Sequence, residues 1–217
     1  MSIRTAALLL VVGLTACSEP APETTAAEAV PETLTIMAHD SFAGGVTDET
    51  FAPFTAETGI AVEVLPAGDA GAMVGQAILT KDAPVADVLF GIDDTFLSRG
   101  LDEGLFVPYE SPLLGSVPDE LELDPEHRVT PIDFGDVCLN YDKAAFADTA
   151  PPADLDDLTD PAYRGSLVVE SPATSSPGLA FLLATIAAYG EDGWQDYWRG
   201  LVANDVAVVP DWDTAYY

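Results

Sequence analysis

The chain has 217 residues, 48% of them hydrophobic, which is the composition of a packed fold rather than a disordered chain. Seven Lys and Arg stand against 37 Asp and Glu, a formal net charge of −30. That excludes a nucleic-acid partner, because neutralising phosphates takes clustered basic residues, and it favours solubility and the attraction of cationic ligands.

Residues 1–17 read as a lipoprotein signal peptide. Arg4 supplies the positive start, and Ala6 to Leu14 an apolar run too short to span a bilayer. Leu14-Thr15-Ala16-Cys17 resembles the bacterial lipobox, with cleavage before a cysteine whose thiol takes the lipid. Residues 18–32, rich in Glu, Pro, Ala and Thr, lack hydrophobic periodicity and are expected to form a disordered tether. The mature protein is then expected to be exported and held by a lipid anchor at the cell membrane, facing the periplasm or the cell exterior. With Cys17 lipidated, Cys138 is left without a partner for an internal disulfide. Its strand-like setting, Asp136 to Tyr141, predicts a buried structural cysteine.

The globular part opens with a strand over Thr33–Ala38, followed by a loop through His39-Asp40-Ser41-Phe42 to Gly44-Gly45. Phe51, Phe54 and Thr55 then recur at helical spacing, with Gly59 as the stop. Ile60 to Leu65 reads as a second strand, Ala70 to Leu79 as a helix with Met73, Val74, Ala77 and Ile78 on its apolar face, and Val85 to Phe90 as a third strand. A helix from Thr95 to Glu103 follows. Strands alternating with helices predict an α/β unit with a mainly parallel sheet. Asp40 with Ser41, and Asp93 with Asp94, leave strand C-termini, where open α/β sheets bind ligands.

Residues 106–128 hold prolines and acids with little periodicity and read as a surface excursion. Val129 to Tyr141 reads as an extended crossing segment, bent near Gly135 within Asp133-Phe134-Gly135-Asp136. Leu155 to Leu158 reads as a short helical turn. Leu167-Val168-Val169 is a buried strand, and Leu179 to Tyr189 is apolar enough for a helix. Between them, Ser175 or Ser176 can cap that helix, Pro177 fits its first position, and Gly178 lets a ligand approach the backbone closely. Such an end favours anions and hydroxyls, although an ordinary cap with no ligand fits the same residues. A Trp-rich helix (Trp194, Tyr197, Trp198) and a strand over Val206–Val209 follow. Trp212 to Tyr217 reads as the start of a helix, so the chain is expected to be a fragment of a longer one.

Together the motifs acquire a name. Asp40-Ser41-Phe42-Ala43, Ala86 to Asp94, Asp133-Phe134-Gly135, Leu139 to Lys143, Ser175-Ser176-Pro177-Gly178-Leu179 and Trp212-x-x-Ala215-Tyr216 occur in the order that resembles the thiamine-binding proteins of ABC importers. The resemblance covers nearly all of residues 33–217 and about the first two thirds of that family's chain. It implies an α/β, periplasmic-binding-protein-like (type II) fold, two α/β lobes with a ligand cleft. Residues 33–131 would be lobe 1 and 132–217 the hinge crossing and a partial, incomplete lobe 2. It further implies a thiamine or thiamine phosphate ligand, no cofactor, no catalysis, and an ABC permease as partner. The site it implies consists of Asp40, Ser41, Asp93, Asp94, Asp133, Ser175, Ser176, Gly178, Trp212 and Tyr216. Asp136 departs from the aromatic residue that this family's pattern would place after Phe134-Gly135.

The chemistry of the residues agrees with that ligand. A fixed thiazolium cation suits carboxylates and the faces of Trp212 and Tyr216. The serines and the Gly178 N–H suit a hydroxyl or phosphate tail. Trp212 and Tyr216 also fit a core, and the aspartates also fit turns and caps. Two other functions remain open. A ferric-ion-binding protein of the same superfamily would use Tyr216 and Tyr217, joined by His39. An exported hydrolase would use Ser175 or Ser176 with His39 or His127, though no Gly-x-Ser-x-Gly elbow surrounds either serine.

Overall fold

The computed structural model describes residues 33–217; the expected signal peptide, Cys17 and the tether lie outside the described residues. Five strands, β1 (Thr33–Ala38), β2 (Ala61–Pro66), β3 (Val88–Phe90), β4 (Val168–Glu170) and β5 (Ala207–Val209), form two sheets. Six helices accompany them: α1 (Asp40–Gly45), α2 (Asp48–Thr58), α3 (Ala70–Leu79), α4 (Asp94–Asp102), α5 (Ser176–Ala203) and α6 (Trp212–Tyr216).

The first sheet has the order β2-β1-β3 and is parallel throughout. Its register sets Ala38 beside Pro66 on one side and Phe90 on the other, so all three strands end on one edge. The second sheet pairs β4 and β5 in parallel, with Glu170 beside Val209. Parallel pairing needs crossover connections, and the helices between the strands provide them. Ala70, Val74 and Phe96 form one core between α3 and α4, joined by Leu179 from α5. Leu158, Tyr197 and Leu201 form another under the second sheet.

The helix over Ala70–Leu79 has the expected bounds and buries Met73 and Val74. Several expectations are corrected. The loop after β1 is the short helix α1, whose N-cap His39 accepts the Phe42 N–H through Nδ1. The third strand begins at Val88 rather than Val85, because the Asp87 carboxylate takes the Thr35 N–H (2.9 Å) that a longer ladder would use. The helix after Pro177 and the Trp-rich helix run on as α5, broken at Gly190, whose φ of 70° suits a residue without Cβ. The segment over residues 129–141 belongs to neither sheet, so its alternating side chains face solvent: Ile132, Phe134, Val137, Leu139 and Tyr141 are exposed. Cys138 in that segment is exposed too, not the buried thiol its sequence setting predicts.

Candidate functional site

The common edge of the first sheet brings three loops together. Asp40 begins α1 and is exposed; its Oδ1 accepts the Gly68 N–H (2.9 Å), and its own N–H donates to the Gly68 carbonyl (3.0 Å). Those two bonds lock the end of β1 to the turn after β2, where Asp69 follows at once. Beyond β3, Gly91 has φ 107°, and a Cβ there would lie 2.1 Å from the His39 ring. His39, Phe42 and Phe90 pack as an aromatic cluster, with Phe42 and Phe90 4.1 Å apart between centroids. Asp93 occupies the N-cap position of α4 without a side-chain cap bond and accepts the Thr95 hydroxyl (2.8 Å), while Asp94 and Ser41 are exposed.

The second sheet supplies the facing groups. Ser175 is fully buried, and its hydroxyl donates to Glu170 Oε2. Ser176 has a buried Oγ with no hydrogen-bond partner. The room left by the missing side chain of Gly178 is taken by protein: a Cβ would stand 2.4 Å from the Glu170 carbonyl oxygen. Gly178 therefore seats α5 on the end of β4, whereas the sequence reading reserved that space for a ligand. Trp212 is half-buried at the start of α6, its ring stacked on Tyr216 at 4.7 Å and 12°. Asp133 lies in the exposed segment over residues 129–141.

The two halves meet in an exchange of helix caps. Asp69 occupies the N-cap position of α3, but its side chain makes no cap bond there. The N–H groups of Gly71 (2.9 Å) and Ala72 (3.3 Å) donate instead to the Thr174 carbonyl, which satisfies donors that a helix start leaves free. The Asp69 carboxylate is thereby released, and its Oδ2 accepts the Trp212 N–H (3.0 Å). The structure thus gathers Asp40, Ser175 and Trp212 around Asp69, a residue absent from the expected set. The signal that picked Asp40 and Asp93, an acid just past a strand C-terminus, applies to Asp69 equally well.

Burial pushes the Asp69 carboxyl up, opposed by the Ser175 hydroxyl and the Trp212 N–H. Burial likewise pushes Glu170 up, with Ser175 opposing and the charge of Asp69 adding to the rise. Asp211 is held below its usual range by the Thr214 N–H and stays charged. Ser175 has one hydroxyl hydrogen for two neighbouring carboxyls. No Lys or Arg is among the groups acting on either buried acid.

A family model for bacterial extracellular solute-binding proteins matches residues 83–213. The chain is 29% identical over 221 residues to a thiamine-binding periplasmic protein of Brucella suis, covering 100% of this chain and 61% of that protein. It spans about three fifths of the length of the curated relatives it matches. Among solved structures, a periplasmic thiamin binding protein is similar at a TM-score of 0.64 and 23% identity, over 88% of this chain and 59% of that one. Iron-bound HitA from Pseudomonas aeruginosa is similar at 0.63 and 24%, over 85% of this chain and 58% of that one. These two likenesses show the fold, the α/β fold of the type II periplasmic binding proteins.

Proposed function

The chain belongs to the bacterial extracellular solute-binding proteins, and from that premise we propose that it captures thiamine or a thiamine phosphate outside the cytoplasm and delivers it to an ABC permease. Capture is binding, with no chemistry done on the ligand. The observation that carries this reading is the meeting of a stacked aromatic pair, Trp212 and Tyr216, with the carboxylate of Asp69 beside the Ser175–Ser176 turn.

Thiamine has a fixed thiazolium cation, an aminopyrimidine and a hydroxyethyl arm that can carry phosphate. Aromatic faces stabilise such a cation by ~0.5–2 kcal/mol each. Asp40 offsets its charge, and Asp93 with Asp94 accepts from the exocyclic amine. The tail meets the Ser176 hydroxyl and the N–H groups of Ser176 and Gly178, which precede the first intrahelical bond of α5, from the Leu179 N–H to the Ser175 carbonyl. Ser41 and Asp133 stay in the proposed set on the family resemblance alone. The relatives described as thiamine-binding support the choice of ligand, and the lipobox-like Cys17 supports a lipid anchor.

The test is thermal stability of the full-length protein. It rises with thiamine as about RT ln(1 + [L]/Kd), and Trp212→Ala removes the rise. A melting temperature unchanged at millimolar thiamine overturns the reading.

A ferric-ion reading has one observation in its favour, the neighbouring phenols of Tyr216 and Tyr217, 57% and 94% exposed. Against it, the Tyr216 ring lies on Trp212. Among the described residues no group of three or more His, Cys, Asp or Glu gathers to hold a metal. A purple-to-red colour on adding Fe³⁺ would decide for iron; stabilisation by thiamine without colour decides against it.

A further inference from the structure

We propose that Asp69 is a positioning residue of the ligand site: from the first half of the fold it holds the first turn of α6, and with it Trp212, against the Ser175 turn. The inference rests on the reading of Trp212 as a ligand-facing wall, and it adds a residue that neither the sequence motifs nor the family resemblance supplied.

The argument begins with α6, five residues long. A helix of that length does not stand alone in water and takes its geometry from what pins its ends. Two carboxylates pin its start. Asp211, the residue before it, accepts the Thr214 N–H (2.7 Å) and so fixes the turn internally. Asp69 accepts the Trp212 N–H and so fixes the turn relative to α3 and the first sheet. Tyr216 follows because its ring is stacked on Trp212. One carboxylate thereby sets the placement of both aromatic faces.

The acid at this position is otherwise hard to explain. An aspartate at an N-cap ordinarily bonds its own helix, yet here that role passes to the Thr174 carbonyl. What remains is a carboxyl 8% exposed, lying near buried Glu170 and charged Asp211. A buried acid among acids costs stability, and costly groups of this kind cluster at functional sites.

The test uses full-length protein carrying 5-fluorotryptophan, with the Trp212 fluorine resonance assigned through Trp212→Phe. Asp69→Ala is expected to shift that resonance in the absence of ligand and to weaken thiamine binding at least about tenfold, the loss of one charged hydrogen bond. Asp69→Asn keeps an acceptor for the Trp212 N–H. It is expected to leave the resonance in place and to bind thiamine within about threefold of the parent. An unmoved Trp212 resonance in Asp69→Ala overturns the inference. So does an Asp69→Asn protein as impaired as Asp69→Ala, because then the charge, not the placement, is what matters. If the resonance behaves as expected but the parent does not bind thiamine, the ligand assignment fails and the positioning role stands.

Discussion

The carboxylate of Asp69 accepts the backbone N–H of Trp212 at 3.0 Å, across 143 positions of sequence. This bond is one half of an exchange in which the Thr174 carbonyl caps α3 and the acid of α3 caps α6. Two α/β halves are thus joined by polar groups at their strand ends as well as by the packing of Leu179 on Val74, Ala70 and Phe96.

The seam carries a pH signature. Glu170 is raised above its ordinary value of 4.5 by burial and by the charge of Asp69. A group raised in the folded state binds protons more readily there than in the unfolded chain. Its favourable contribution is fully present below the unfolded value and is lost as pH rises through the folded one. Glu170→Gln keeps an oxygen to accept the Ser175 hydroxyl and cannot ionise. Its melting temperature is expected to exceed the parent's at pH 7 and the difference to close toward pH 4. A variant less stable than the parent at pH 7 would contradict the account.

Two glycines of α5 are needed for different reasons, and substitution separates them. A Cβ on Gly178 meets the Glu170 carbonyl oxygen at 2.4 Å and the Ser171 carbonyl carbon at 2.9 Å, both backbone, so neither can swing away. Gly178→Ala should cost about 1–3 kcal/mol or more. Gly190 has open space around it but φ 70° and ψ 175°, a region essentially confined to glycine, so Gly190→Ala should cost the backbone strain alone, about 1–3 kcal/mol. Denaturant unfolding of both variants is the check. A Gly178→Ala protein as stable as the parent would count against the packing role of Gly178.

The local parts of the fold could be read from the residues. Thr33–Ala38 and Ala70–Leu79 carry their periodicity within a few residues, and each has the bounds the pattern predicts. Acids just past strand ends share one edge of the first sheet, because parallel register aligns those ends whatever the intervening loops do. Ile132 to Tyr141 misled because alternation specifies a strand only when a neighbour completes the ladder, and neither sheet does so here. Gly178 was read for the wrong neighbour because a ligand and a carbonyl both call for a missing Cβ. The partnership of Asp69 and Trp212 leaves no local pattern at all.

Asp124 should behave oppositely to Glu170. It is buried and accepts the Arg128 backbone N–H (2.8 Å) and two guanidinium bonds, at 2.9 and 2.7 Å. The guanidinium holds its carboxyl well below the usual aspartate range. A depressed value contributes stability above the unfolded value of 3.8 that is lost as pH falls through the folded one. Asp124→Asn is therefore expected to melt several degrees lower at pH 7, with the deficit shrinking below pH 3.8. Trypsin should also cut it faster after Arg128, since the bonds that organise that turn are gone. Unchanged cleavage and an unchanged melting curve would show that the pair contributes nothing.

Adjacent residues at the end of α5 give the sharpest test of the core beneath the second sheet. Leu201 is 0% exposed and packs with Leu158 and Tyr197, while its neighbour Val202 is 65% exposed. Truncating a buried leucine removes its transfer free energy and leaves a cavity, so Leu201→Ala should cost about 2–5 kcal/mol. Truncating an exposed valine does neither, and Val202→Ala should fall within about 0.5 kcal/mol of the parent. The two are neighbours on one helix, and they differ most in burial. Chemical denaturation of both reads the contrast directly. Comparable losses at the two positions would mean that the outer face of α5 is covered in the folded protein and that Val202 belongs to a contact surface.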